Sequence, residues 1–420
     1  MSESINEVPA LVLPTEILAH IFTICLPPPP GPHPFRTFNV VDTPSAFRPS
    51  EAPLLVASIC RRWRHVALST SHLWVCPCLD FHKKRDAEGV VSSWLSRSLP
   101  YPLSFTLNDY VGLPQVLKET ITHCERWTAV EILVSSRDLS AFSKVRGRLP
   151  CLKNSVHIIG RAISILLPWH QLTTLTCEFF NDIECLEILR QCAVLVDCSL
   201  ISYYAPRSGE AILSHPPIFL RRLRSLKLEG EGDLDVIRLL ELPSLRVLRL
   251  EVKRRTNDVE ILIEFMNRPE FHLESLCLWM IKSQQLLLCL PFLTSLVTLK
   301  VRTCEEFLTE ELLLRLTHDP TALPNLRKLD IDVDLQHPHE LDFTNISLRE
   351  MILSRCLGAG TGAARNVCLE VFRLVYKADD EDEDDEEDDQ GLTALALELA
   401  PILEPRMVEF KISAGSERWA

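Results

Sequence analysis

Four soft ligands lie close together at His72, Cys76, Cys78 and His82, spaced H-x3-C-x-C-x3-H. Thiolate and imidazole are the donors that hold zinc. The spacing matches none of the usual finger patterns, and Trp74 and Val75 interrupt it, so these residues are expected to fill a core and a turn, with no metal. Catalytic groups are no better represented. The chain has no P-loop, no G-x-G-x-x-G, no G-x-S-x-G and no H-E-x-x-H. The glycine-rich GAGTG at 358–362 has no lysine and follows no nucleotide-fold pattern, so it reads as a loop. No cysteine stands beside a histidine in a nucleophile setting. No catalytic residue and no cofactor are expected.

Charge offers binding chemistry instead. Asp379 to Asp389 is a run of 11 consecutive acidic residues within a formal net charge of −13, so the rest of the chain carries −13 + 11 = −2. A body this close to neutral argues against nucleic-acid binding. The run itself repels and holds no apolar residue, so 378–390 is expected to be a disordered, solvated insert.

The elements that would position any site follow from a repeat. The unit L-x-x-L-x-L occurs from Leu172, Leu195, Leu223, Leu245, Leu273, Leu296, Leu326, Leu348 and Leu369, with conservative replacements. Weaker copies begin at Pro102, Trp127 and Met407 and near Val156. In a strand, side chains alternate faces, so the fourth and sixth positions of each copy point inward together. Parallel strands need return connections of a dozen or more residues. Helices are expected in the connectors at 235–242, 258–268 (N-capped by Asn257), 284–290 and 310–318 (N-capped by Thr309). The fifth and seventh positions of the middle copies point out. They bring Lys227, Arg249, Lys300 and Arg302 around an outward-facing Trp279, with Glu229 and Glu251 to one side. A tryptophan among arginines has the composition of a protein-binding hot spot, so Lys227, Arg249, Trp279, Lys300 and Arg302 are the candidate substrate-binding residues.

Before the repeats, LVLPTEILAHIFTIC has apolar residues at three- and four-residue spacing, as an amphipathic helix does. Pro14 falls where a first-turn proline costs no hydrogen bond. A Pro-rich loop follows over 27–53, and helical periodicity resumes with LLVASICRRWRHVALSTSHLW, where Val56, Cys60 and Trp63 share a stripe.

This segment resembles the F-box, the three-helix module of substrate-receptor subunits in SCF-type cullin–RING ubiquitin ligases. The residues that carry the resemblance are Leu13, Pro14, Glu16, Ile17, Leu18, Ile21 and Phe22, then Ile59, Cys60, Arg61, Trp63 and Arg64, then Leu73 and Trp74. The repeats are similar in length to leucine-rich repeats, and Cys304 and Cys356 stand where that family carries its cysteine. Together the resemblances imply an α/β fold: a three-helix F-box over 11–80, then a leucine-rich-repeat solenoid over 81–420, with parallel strands on the concave face and helices or loops on the convex face. Leu13, Pro14, Ile17, Ile21, Val56 and Cys60 would face the SCF adaptor subunit, which bridges to cullin. The strand face would capture a protein substrate. Trp63 and Trp74 would sit in the core. A second reading makes the array an interaction scaffold or inhibitor acting outside ubiquitination.

No stretch of 18 apolar residues occurs, and the N-terminal MSESINEVPALVLP lacks the basic region of a secretory signal. Fifteen cysteines are scattered among apolar positions. That usage fits reduced thiols in the cytoplasm or nucleus, with no membrane partner.

Overall fold

The computed structural model describes residues 13–26, 50–75, 78–80, 87–109, 114–134, 144–145, 147–153, 155–159, 167–178, 182–202, 215–230, 234–252, 258–269, 271–303, 308–334, 343–357, 367–377, 386–403, 407 and 409–414. Cys76, His82, Asn257, Cys304, the glycine-rich 358–362, most of the Pro-rich loop and the first part of the acidic run lie outside these residues. The chain divides into two compact units, Met1–Phe180 and Asn181–Ala420.

The first unit opens with helix α1 (Thr15–Ile24), preceded by Pro14 in an extended conformation. Leu18 and Phe22, one turn apart, are fully buried on its inner face. The second helical stretch breaks at Cys60, whose φ of −153° and ψ of 170° end α2 (Leu54–Ile59) and start α3 (Arg61–Ser69). The Cys60 sulfur accepts from the Trp63 amide at 3.4 Å, serving as a weak N-cap. Trp63 packs on Phe22 with ring centroids 5.0 Å apart. A short 3-10 turn (Ser71–Trp74) closes the head, and its fully buried Trp74 donates from Nε1 to the Ala67 carbonyl at 2.9 Å.

The sequence places a domain boundary at residue 80, and both sides of it fall within the first compact unit. Helix α4 (Ala87–Arg97) lies against the end of the head. Trp94 donates from its indole to the Trp74 carbonyl at 3.0 Å, and the Arg97 guanidinium sits 4.9 Å from the Trp74 ring centroid. The head therefore shares a core with the first strands. These are β1 (Cys78–Asp80), β2 (Leu103–Asp109), β3 (Trp127–Val134), β4 (Ser155–Ile159) and β5 (Thr174–Glu178), each parallel to its predecessor. Helix α5 (Pro114–Thr122) joins β2 to β3.

The second unit begins with α6 (Asp182–Leu189). Its strands are β6 (Asp197–Ser202), β8 (Ser225–Gly230), β10 (Val247–Glu251), β11 (Ser275–Trp279), β12 (Thr298–Thr303), β13 (Lys328–Asp334), β14 (Val371–Lys377) and β15 (Glu409–Ala414). They form one parallel series in chain order. The two-residue strands β7 (Ile218–Phe219) and β9 (Leu240–Glu241) pair with each other alone. The connectors carry α7 (Asp235–Arg238), α8 (Asp258–Met266), α9 (Ser283–Cys289), α10 (Glu310–His318), α11 (Asn345–Leu357) and α12 (Glu386–Leu403). This is a mixed α/β fold with parallel strands and intervening helices.

The register explains the repeat. Cys198, Leu226, Leu248, Leu276, Leu299, Leu329 and Phe372, each at the fourth position of its copy, are Cα partners in turn and all buried. Burial of each such leucine contributes about 1.5–3 kcal/mol, and the column supplies most of what holds neighbouring strands in step.

Two expectations fail here. The copy from Leu348 is not a strand: LREMIL lies within α11. Leu348, Met351, Ile352 and Cys356 are buried at helical spacing, and β13 pairs directly with β14, which leaves no gap for a strand between them. The acidic insert expected over 378–390 is also cut short, because α12 begins at Glu386.

Candidate functional site

The head exposes aliphatic side chains on α1 and α2. Ile17 and Ile24 on α1 are exposed, as are Leu55 and Ile59 on α2, with Ile59 at 56%. Pro14 is exposed, and Leu13, Ile21 and Cys60 are half-buried. Arg62 of α3 donates to the Leu13 carbonyl, which ties the segment before α1 to the start of α3. Arg64 donates to the Ala57 carbonyl at 2.9 Å across the α2–α3 break. Val56 departs from the expected adaptor-facing set. It is 4% exposed and packs inside the head, while Leu55 and Ile59, four residues apart on one face of α2, are the ones left exposed.

On the strand face of the second unit, registration brings the five expected residues together. Lys227, Arg249, Cys277, Lys300, Asp330 and Arg373 follow one another as Cα partners from β8 to β14. Beside them runs a second row, Glu251, Trp279, Arg302, Asp332 and Val375. Neighbouring strands are about 4.8 Å apart, so Arg249 and Lys300, on either side of β11, stand roughly 10 Å from each other.

Trp279 is not the open anchor that strand parity suggests. It is 8% exposed, and Lys227 Nζ lies 5.9 Å from its ring centroid. Lys227 is itself buried and pairs with Glu229 at 2.7 Å. The tryptophan, the lysine and Glu229 thus form a packed floor. Met280, directly after Trp279, takes the left-handed φ of 64°, and its amide donates to the Arg302 carbonyl at 2.8 Å.

Asp330 and Asp332 of β13 complete the site, and the expected set omits them. Both are buried, and each lies under a cation of β12: Lys300 Nζ is 3.0 Å from Asp330 Oδ2, and Arg302 Nε is 3.4 Å from Asp332 Oδ2. The side chains of Lys300 and Arg302 are 49% and 42% exposed, against 8% and 6% for their aspartates. The signal in the sequence is the matched spacing, Lys-x-Arg in one copy and Asp-x-Asp in the next. Arg249 differs from its neighbours in making no ion pair and no side-chain hydrogen bond among the described residues. It is half-buried, and its charge is felt at Asp197, whose pKa burial raises against the pull of Arg224 and Arg249. The Cys277 thiol between Arg249 and Lys300 is pushed up to about 11 by burial, the two cations opposing. A thiol held protonated in this way supplies no nucleophile at neutral pH.

At β12 and β13, then, the anions are sunk and the cations uppermost, while at β8 the order is reversed, Lys227 lying deeper than Glu229. Among the described residues no group of histidine, cysteine, aspartate or glutamate is placed to hold a metal ion. No described helix is long and apolar enough to cross a membrane. The chain matches no model of a known protein family, and it matches no characterised protein.

Proposed function

We propose that the protein is the substrate-recognition subunit of an SCF-type cullin–RING E3 ubiquitin ligase. In this reading residues 13–74 act as an F-box that docks the adaptor, and the strand series acts as a leucine-rich-repeat solenoid whose concave face binds a protein substrate. The subunit does no chemistry itself. It raises the effective concentration of a substrate lysine near the activated ubiquitin thioester carried by its partners. The observation that carries the proposal is the head: three short helices bearing the residues that resemble an F-box, and aliphatic side chains left open on α1 and α2 beside Leu13 and Pro14. Large aliphatic groups exposed on so small an element are what a helix-packing interface uses.

The test is co-purification. The wild-type chain is expected to bring down adaptor and cullin. Leu13→Ala with Pro14→Ala, and separately Ile17→Asp with Ile59→Asp, are expected to abolish this while the far-ultraviolet circular dichroism spectrum is unchanged. Val56→Ala, inside the head, is expected to lower stability without selectively removing the adaptor. Retention of the adaptor by both surface double variants would refute the docking assignment. A wild-type chain that recruits neither adaptor nor cullin would refute the ligase role.

A further inference from the structure

We infer that the strand face of the second unit recognises an acidic, extended protein segment, whose carboxylates engage Arg249 and Arg302. This deepens the proposal that the face binds a protein substrate, and it rests on that proposal. The charges of β12 and β13 are ordered by depth. By count the face is nearly balanced: Lys227, Arg249, Lys300 and Arg302 stand among Glu229, Glu251, Asp330 and Asp332. By depth it is not. Asp330 and Asp332 are buried beneath Lys300 and Arg302, whose head groups are the part a partner would meet. The buried carboxylates orient these cations, as preorganised recognition requires.

Arg249 adds the second observation. It lies in register between Lys227 and Cys277, half-exposed, and no described residue forms an ion pair with it. Arg302 meets Asp332 through Nε, which leaves the Nη edge of its guanidinium for a second anion. Arg249 and Arg302 lie two strands apart and one row apart, so the separation is roughly 10–12 Å. Residues three or four apart in an extended chain span that distance. A segment with acidic residues at that interval would place one carboxylate on each arginine as it crosses the strands.

The experiment uses the full-length chain and four fluorescein-labelled probes in anisotropy titrations: an alternating Glu–Ser dodecapeptide, its Gln–Ser and Lys–Ser counterparts, and a dodecamer of polyuridylate. The Glu–Ser peptide is expected to bind best, with affinity falling as salt rises from 50 to 300 mM. Arg249→Gln and Arg302→Gln are each expected to weaken it roughly tenfold, the loss of one charge-assisted contact. Arg249→Lys, which keeps the charge, is expected to lose less. Thermal melts identify any variant that fails to fold, and the salt titration of the wild type stands independently of the variants. Preference for the Gln–Ser or Lys–Ser peptide, still sensitive to Arg249→Gln, would overturn the acidic class and leave the face as the substrate surface. Preference for polyuridylate would overturn it in favour of nucleic acid. Absence of any probe binding sensitive to Arg249 and Arg302 would overturn both this inference and the concave-face reading, while adaptor co-purification would still report on the head.

Discussion

Arg355 offers the sharpest test of how the second unit is held together. It lies near the end of α11, is 6% exposed, and meets no carboxylate within ion-pair distance among the described residues. Its guanidinium instead donates to three backbone carbonyls: Leu316 at 2.8 Å, Ala322 at 2.6 Å and Leu323 at 3.2 Å. Leu316 lies in the last turn of α10, whose dipole favours a cation there, and Leu323 holds a left-handed φ of 52° that a leucine rarely adopts. Burial pushes the Arg355 pKa down, with Asp319 opposing, but the group stays charged. In Arg355→Met three carbonyls lose their donor, at about 1–3 kcal/mol each, while relief from burying a charge returns several kcal/mol. The net loss is about 2–4 kcal/mol. For a unit of this size that lowers the melting temperature by roughly 4–16 °C. Arg355→Lys keeps the charge but not the three-way fork, and is expected to recover less than half of the loss. Urea unfolding followed by circular dichroism, with calorimetry alongside, measures both. A methionine variant within about 1 kcal/mol of wild type would refute the claim that this arginine fastens the α10–β13 connection.

Three further outcomes follow from local geometry. Burial pushes the thiols of Cys192, Cys289 and Cys356 up to about 12, from an ordinary value near 9. N-ethylmaleimide at pH 7.5 is therefore expected to label the exposed Cys25, Cys151 and Cys368 and spare these three, as read by peptide mass mapping. Their raised pKa also means that the stability they lend is complete below pH 9 and is lost as pH rises from 9 towards 12. Thr309 caps α10 by accepting from the Leu312 amide at 3.4 Å and shares a 2.6 Å hydrogen bond with Ser283. Thr309→Ala is expected to cost about 1 kcal/mol and Thr309→Ser much less, measured by thermal melts.

Much of the strand framework could be read from the leucines. Copies from Leu223, Leu245, Leu273, Leu296 and Leu326 all became strands with the fourth position inward, because alternation at spacing two admits a single buried face. The Leu348 copy misled because LREMILSRC satisfies both periods: its leucines fit the repeat, and Leu348, Met351, Ile352 and Cys356 fit a helix. Only the direct pairing of β13 with β14 decides between them. At the binding face, parity gave the sides correctly and the depths wrongly. Trp279 points to the expected side, yet Lys227 and its neighbours cover it, and no one-dimensional pattern records what lies above a side chain. The same limit hid the roles of Asp330 and Asp332. In the head, periodicity marked the helices, but it did not show which face of α2 turns inward: Val56 is buried and Ile59 exposed.

The arginines that bond backwards have a further consequence. Arg126 reaches the carbonyls of Ser98 and Tyr101, Arg268 those of Arg238 and Leu240, and Arg355 those of Leu316, Ala322 and Leu323. In these three cases a later turn of the chain clamps the end of an earlier one, whereas Arg190 and Arg246 reach forward to the carbonyls of Pro216 and His272. During synthesis, the segments bearing Arg126, Arg268 and Arg355 would thus each lock a turn already outside the ribosome. A truncated product would be looser at its final turn than within, and so would offer a protease its most recently made end first.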